Sequence, residues 1–168
     1  ACEAEHSVPT FSFLFLEKEK PGTFYPEKAT ALGIPKGELW HKLQQGEEVV
    51  IENKSIKPSE VMGPNVPGKK IGVSGDTRPI KKLEGFFKNC DYLVFDSTFS
   101  DELKEKAVET CHSTAKEAAT FAKNASVSNL ILTHFSARYK DESILLDEAR
   151  AIHNSVIAAN DQLKVEIE

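Results

Sequence analysis

Two aspartates and a histidine follow the strand-like runs of this sequence, at the point where each run ends. Asp76, Asp96 and His134 each stand within two residues of the end of such a run. The carboxyl ends of parallel strands meet at one edge of an α/β sheet, and ligands bind at that edge. Separate helix caps would explain the aspartates, but they would not explain the histidine. The sequence therefore predicts one site that contains these three side chains.

Carboxylates and imidazoles together are the ligand set of a borderline divalent metal such as Zn²⁺ or Mn²⁺. A carboxylate can bridge two ions, and a metal pair suits the hydrolysis of phosphodiesters or amides. His6, which precedes the first strand-like run, and His112, on a loop between two helical runs, are the remaining candidate site histidines. We expect His41 and His153 to be ordinary surface or core residues.

Strand-like and helical runs alternate through the second part of the chain, which predicts βαβ units and a largely parallel sheet. Thr114 and Glu117 form a capping box that predicts a helix start. The predicted strands are 70–74, 92–95, 130–133 and 163–167, and the predicted helices are 80–88, 101–110, 114–124 and 143–158.

The first strand-like run, 5–16, is apolar on both faces. It places Phe11, Phe13 and Phe15 on one side and further apolar residues on the other. This pattern predicts a strand in a sheet that is covered on both sides.

Glycine and proline punctuate the stretch between the first strand and residue 69. It contains two helical candidates, 27–32 and 38–45, and a candidate strand, 49–52. The stretch is too elaborate for a loop and too poor in apolar residues for a core, so we interpret it as an inserted arm; a surface subdomain without a task remains the alternative. The predicted division is 1–17, 18–68 for the arm, and 69–168.

The bulk composition limits the classes of function. The formal charge of −5 argues against general affinity for nucleic acid, so any contact with RNA or DNA must be local. The odd number of cysteines, three, suggests a reducing compartment. No signal peptide opens the chain and no apolar run approaches the ~20 residues that span a bilayer. The chain starts without Met and enters strand-like sequence at once, which reads as a piece of a longer polypeptide.

Five sequence blocks in this order resemble ribonuclease Z, the tRNA 3′-processing endoribonuclease family of the metallo-β-lactamase fold. They are E-H-S-V-P-T-F at 5–11, S-G-D-T-R-P at 74–79, D-S-T-F at 96–99, C-H-S-T-A-K-E-A-A at 111–119 and L-T-H-F-S-A-R-Y at 132–139. The arm, with K-P-G-T-F and L-G-I-P-K-G-E-L-W, is similar to the family's exosite. The resemblance implies an α/β fold: the C-terminal half of an αββα metallo-β-lactamase sandwich with an inserted helical arm.

The resemblance also implies roles at the matching positions. His6 looks like a ligand of a first zinc, Asp76 like the carboxylate that bridges two ions, and His134 like a ligand of the second. His112 resembles the histidine that protonates the leaving 3′-oxygen, and we expect Asp96 to orient it.

The substrate implied by the resemblance is precursor tRNA, processed by a cytoplasmic homodimer with two zinc ions per intact subunit and no membrane or DNA partner. Arg138 would stabilise charge on the phosphoryl oxygens, and Lys36 and Lys42 would contact tRNA from the arm. The charge pattern alone leaves this open, because acidic residues nearly balance the lysines of the arm.

The sequence departs from the family pattern in three places. Phe95 and Asp96 stand where many members carry His and Glu, and Glu38 stands where proline is usual. The H-x-H-x-D-H motif of metallo-β-lactamase hydrolases does not occur in the sequence, so at most half of a two-metal site is present. We therefore expect this chain to be inactive by itself. Another phosphodiesterase of the same fold, or a non-catalytic binding or dimerisation module, remains an alternative.

Overall fold

The computed structural model describes residues 1–167. Its strands, in chain order, are β1 (Cys2–Glu3), β2 (Phe11–Leu16), β3 (Val49–Ile51), β4 (Lys54–Ile56), β5 (Lys70–Val73), β6 (Tyr92–Asp96), β7 (Asn129–Thr133) and β8 (Val156–Ala158). Its α-helices are α1 (Pro26–Ala31), α2 (Glu38–Gln44), α3 (Pro58–Val61), α4 (Lys81–Phe86), α5 (Lys104–Glu109), α6 (Ala115–Asn124) and α7 (Ser143–Arg150), and a 3₁₀ turn, Asp101–Leu103, leads into α5.

The chain forms two compact units. The first combines Ala1–Leu16 with the described residues from Lys69 onward, and the second is Glu17–Gly68. The sequence placed the corresponding junctions after residues 17 and 68.

A single sheet runs through the first unit in the order β1-β2-β5-β6-β7-β8. β1, β2 and β5 are antiparallel neighbours, whereas β5, β6, β7 and β8 are parallel. The predicted parallel βαβ arrangement is confirmed. As a result, β5, β6 and β7 end at the same edge of the sheet.

Helices α4, α6 and α7 cover one face of this sheet. Leu93, Phe95, Leu130 and Leu132 point to that face and are fully buried. The ring of Phe95 lies 4.6 Å from that of Phe121 on α6. These contacts make the helix-covered face the core of the first unit.

The opposite face of β2 does not follow the sequence prediction. Phe11, Phe13 and Phe15 are 53%, 49% and 60% exposed, so the expectation of a sheet covered on both sides is wrong for residues 1–167. Phe13 pairs with Val73, which pairs in turn with Val94. Paired residues share a face, so the exposed apolar surface begins at β2 and continues across β5 and β6.

The C-terminal elements also differ from the prediction. The helix predicted over 143–158 ends at Arg150, and Val156 belongs instead to β8, where it pairs with Leu130. The buried ring of His153 contacts the carbonyl oxygens of Ser155 and Val127, which holds a turn between α7 and β8. The prediction of a strand over 163–167 is wrong, because these residues form no strand.

The second unit contains α1, α2, α3 and the β3–β4 hairpin. The sequence missed β4 and α3, and the expectation that this stretch lacks a core is wrong. The indole of Trp40 donates a hydrogen bond to the carbonyl of Ile34 and lies 5.2 Å from the ring of Phe24. The buried apolar residues of this small core are Ala29, Ile34, Leu43, Val49, Ile56 and Val61.

Within residues 1–167, no helix is long and apolar enough to cross a lipid bilayer.

Candidate metal and catalytic site

The carboxyl edge of the sheet brings together the aspartates and histidines singled out above. His134 Nε2 lies 3.6 Å from Asp76 Oδ2. The ring of His112 stacks 4.9 Å from that of His134 and also lies 4.9 Å from the ring of His6, which is tilted against it. Asp96 Oδ2 is 2.7 Å from His112 Nδ1. We refer to His6, Asp76, Asp96, His112 and His134 as the five-residue cluster.

Within the cluster, Asp96 is fully buried. As the last residue of β6, it accepts hydrogen bonds from the backbone amides of Thr77 and Thr98 and from the Thr98 hydroxyl, at 3.0, 3.1 and 2.7 Å. The bond from His112 adds a fourth donor. A buried carboxylate needs this many partners, because an unsatisfied buried charge is costly.

The hydrogen bonds around His134 assign its tautomer. The Thr98 hydroxyl donates its hydrogen to Asp96 and therefore accepts, at 2.8 Å, the hydrogen bond from His134 Nδ1. Nε2 then keeps its lone pair and faces Asp76. A positive φ of 64° at His134, rare for a side-chain-bearing residue, turns the chain at this point.

His6 is fixed in the same way from a different segment. Its Nδ1 lies 3.1 Å from the carbonyl oxygen of Cys111, which can only accept a hydrogen bond. Nδ1 must therefore carry the hydrogen, and Nε2 is left with a lone pair. Cys111 itself adopts a positive φ of 59° and presents its carbonyl to the ring.

The donor set fits a divalent metal ion. One ligand atom from each of His6, Asp76 and His112 lies within 4.8 Å of the others, and the same holds for Asp96, His112 and His134. An Nδ1 fixed by an oxygen with Nε2 left to ligate is the usual arrangement of metal-binding histidines. His112 belongs to both groups, so geometry alone allows it to act as a ligand or as a proton donor.

The loop after β7 adds Arg138 beside this cluster. Its guanidinium carbon lies 5.0 Å from the centre of the Phe99 ring, and its Nε donates to the Ser136 hydroxyl at 2.9 Å. The same Phe99 ring is nearly perpendicular to the His112 ring, and the two ring centres are 6.4 Å apart. Phe99 therefore supports both a cationic side chain and the central imidazole.

Lys36 and Lys42 belong to the second unit. Lys36 is exposed, and the ammonium of Lys42 pairs with Glu38 at 3.1 Å.

Sequence reasoning missed the residues that hold the cluster in place. Thr98 stands two positions after Asp96 in the D-S-T-F block, and a threonine at that spacing commonly bonds back to an aspartate. That signal could have found it. The contacts of Arg78 with Glu117 and with the carbonyl of His112 join residues far apart in sequence, and no local pattern indicates them.

Cys90 is outside the site. Burial raises the pKa of its thiol to about 11, from an ordinary value near 9. It is a neutral packing residue in the core of the first unit.

Comparison with known proteins defines the class. The family model described as "Beta-lactamase superfamily domain" matches residues 26–135. A metallo-β-lactamase fold protein of Bacillus subtilis, YhfI, matches 54% of this chain and 37% of its own, with a TM-score of 0.50 and 23% identity. The chain belongs to the β-lactamase superfamily, and the predicted metallo-β-lactamase fold is confirmed.

Several relatives within that superfamily are ribonucleases Z. The chain is 63% identical to ribonuclease Z of Nitrosopumilus maritimus and 44% identical to that of Methanosarcina acetivorans, over 99% of its length in each case. Human tRNase Z, short form, matches 62% of this chain and 37% of its own, with 31% identity and a TM-score of 0.50. The resemblance to ribonuclease Z is confirmed. The chain spans about half the length of these curated relatives, covering 56% and 55% of them.

Proposed function

We propose that this chain is the C-terminal half of the catalytic unit of a zinc-dependent endoribonuclease that removes the 3′ trailer from precursor tRNA. The observation that carries the proposal is the five-residue cluster at the carboxyl edge of the sheet. Similarity to ribonuclease Z over 99% of the chain supports the choice of substrate.

His6, Asp76 and His134 would hold the metal. The half-exposed carboxylate of Asp76 faces His134 Nε2, so these two side chains would hold metal together. Bound there, a pair of zinc ions would supply a hydroxide nucleophile near neutral pH and would neutralise phosphate charge. In both His6 and His134, Nδ1 is held by an oxygen, which leaves Nε2 free to ligate.

His112 would act as the general acid. Asp96 holds Nδ1 at 2.7 Å, which leaves Nε2 as the proton-donating atom. As the nucleophile's oxygen bonds to phosphorus, the bond from phosphorus to the 3′-oxygen breaks and Nε2 gives its proton to that oxygen. The products are a tRNA with a 3′-hydroxyl and a trailer with a 5′-phosphate. Arg138, supported by Phe99, would stabilise the charge on the phosphoryl oxygens.

Three protein ligands are too few for two zinc ions. We therefore propose that activity requires the H-x-H-x-D-H part of the family's domain and that this part packs on the exposed apolar face of β2. The working protein would be a cytoplasmic homodimer, and the second unit would bind tRNA through Lys36 and Lys42. The free thiols of the chain suit a reducing compartment.

Two substrates test the proposal on the zinc-loaded protein that contains this chain. We expect a single cut in a 3′-extended precursor tRNA, at the 3′ side of the discriminator nucleotide, with a 3′-hydroxyl on the tRNA. Hydrolysis of bis(p-nitrophenyl) phosphate without cleavage of the precursor would indicate a different phosphodiesterase of this fold. A metal-free protein with no hydrolysis of either substrate would indicate a binding or dimerisation module.

A further inference from the structure

Arg78, on the loop that follows β5, forms a paired contact with Glu117 of α6. Nη1 donates to Oε2 at 2.9 Å and Nη2 donates to Oε1 at 2.5 Å. The two side chains are only 12% and 14% exposed. Such a two-pronged contact fixes the plane of the guanidinium as well as its position.

The same guanidinium reaches the backbone of His112. Arg78 Nη1 also donates a hydrogen bond to the carbonyl oxygen of His112. The amide of His112 donates to the carbonyl of Ala107 at 2.8 Å, so its backbone is held from two directions. The imidazole in turn meets the buried Asp96. The orientation of the ring over Asp96 thus depends on where Arg78 holds the chain.

Glu117 connects this contact to the start of α6. Its Oε2 accepts a hydrogen bond from the amide of Thr114 at 3.0 Å, and its own amide donates to the Thr114 hydroxyl at 3.1 Å. The adjoining Ser113 hydroxyl donates to the carbonyl of Thr77 at 2.6 Å. Hydrogen bonds therefore hold the segment from His112 to Glu117 against the loop after β5, which also carries Asp76.

We propose that Arg78 is a positioning residue: paired with Glu117, it sets the imidazole of His112 for proton transfer. This inference rests on the proposed function, because it concerns the general acid of that reaction. A lysine can replace Arg78 only in part, because a single ammonium cannot reproduce the planar guanidinium that donates to the carboxylate and to the carbonyl at the same time.

The dependence on the leaving group distinguishes positioning of an acid from a general structural role. The 3′-oxygen of tRNA needs a proton as it leaves, whereas p-nitrophenolate leaves without one. We expect Arg78→Ala to lower kcat on precursor tRNA by about 10²-fold, within the range of general-acid contributions. The same variant should lower kcat on bis(p-nitrophenyl) phosphate by less than about 3-fold, because the p-nitrophenolate leaving group needs no acid. KM for precursor tRNA should be nearly unchanged.

Three further variants complete the test in the zinc-loaded protein. His112→Ala should show the same selectivity as Arg78→Ala, and Arg78→Lys should fall between Arg78→Ala and the wild type. Lys81→Ala, which removes an exposed cation that contacts Glu84 only three residues away, should leave both substrates unaffected. An equal loss on the two substrates in both Arg78 variants would overturn the inference.

Hydrogen exchange supplies a readout that does not need activity. In the Arg78 variants we expect faster amide exchange over residues 110–117 and unchanged exchange over β7. If the wild type cleaves no precursor tRNA, the proposed function fails and the role of Arg78 in proton transfer fails with it, and the exchange readout then decides only whether Arg78 holds the segment that carries His112. Unchanged exchange over 110–117 would overturn that holding role, and so would a loss of protection spread across β7.

Discussion

The three histidines of the five-residue cluster each have Nδ1 committed to an oxygen. The partners are the carbonyl of Cys111 for His6, the carboxylate of Asp96 for His112, and the hydroxyl of Thr98 for His134. Each contact leaves Nε2 as the atom available for chemistry. The proposed roles of these histidines as ligands or acid therefore depend on the oxygen atoms that hold Nδ1.

Thr98 provides a direct test of that dependence. Thr98→Val removes the hydroxyl that fixes His134, and we expect metal affinity to fall by about 10–100-fold, the usual effect of losing such a supporting contact. Thr98→Ser keeps the hydroxyl and should bind as the wild type does. A competition titration against a chromophoric chelator measures both. Equal affinity in Thr98→Val and Thr98→Ser would show that the hydroxyl does not matter.

The geometry alone allows His112 to act either as a metal ligand or as an acid. We expect His112→Ala to slow single-turnover cleavage of precursor tRNA by about 10²-fold or more, because proton donation to the 3′-oxygen is lost. Its metal content should equal that of the wild type. Rates that do not change would remove His112 from the mechanism, and loss of metal would make it a ligand instead.

Asp76, Asp96 and His134 could be predicted as candidate site residues because each lies within three residues of the end of a strand. Asp96 pairs with Thr133 in the parallel register of β6 and β7, which places it one residue away from His134 along the edge. Their partners could not be predicted in the same way. The bond from His6 to Cys111 spans 105 positions and depends on a positive φ that the sequence does not signal for cysteine.

At the scale of elements, the sequence predicted most strands and the capped helix correctly. The prediction failed where one short apolar run fits both a helix and a strand. Ile152 and Val156 have helical spacing with the residues of α7, yet Val156 is the first residue of β8. A short apolar run does not distinguish a helix from a strand by periodicity alone. The pairing of β8 with β7 decides the outcome, and that contact is not local.

The predicted capping box of α6 is present in the structure and can be tested. Thr114 accepts a hydrogen bond from the amide of Glu117 at 3.1 Å. Thr114→Ala should lower the free energy of unfolding by about 1 kcal/mol, because a helix amide loses its partner. Thr120→Ala is the matched control on the same helix, since the Thr120 hydroxyl bonds back to the carbonyl of Lys116 and lies exposed. Urea denaturation measures both, and equal losses would contradict a capping role.

At the scale of the whole molecule, the two faces of the sheet differ. One face is buried under helices, whereas Phe11, Phe13 and Phe15 on the other are about half exposed or more. Burying one such side chain is worth roughly 1.5–3 kcal/mol. A covering segment would therefore be strongly stabilised here, and the relatives, about twice as long as this chain, have the length to supply one. The apolar residues of β2 predicted a covered strand, and residues 1–167 do not provide that cover.

The second unit has its own core and can be removed without cutting the sheet. We expect deletion of residues 20–62 to weaken binding of precursor tRNA by at least about 10-fold, since the unit is proposed to hold tRNA, a loss of about 1.4 kcal/mol. Hydrolysis of bis(p-nitrophenyl) phosphate should persist, because the five-residue cluster lies in the first unit. Filter binding and a colorimetric assay measure the two quantities. A parallel loss of both would show that the second unit is structural.

The metal content of the purified protein that contains this chain tests the central claim, that the strand ends of this sheet hold a catalytic metal pair. Inductively coupled plasma mass spectrometry should find about two zinc ions per chain, as a two-metal hydrolase requires. Asp76→Ala should lose most of that zinc together with cleavage of precursor tRNA, because a carboxylate proposed to hold the metal is removed. A wild-type protein without metal, or an Asp76→Ala variant that keeps its full zinc content, would contradict the account.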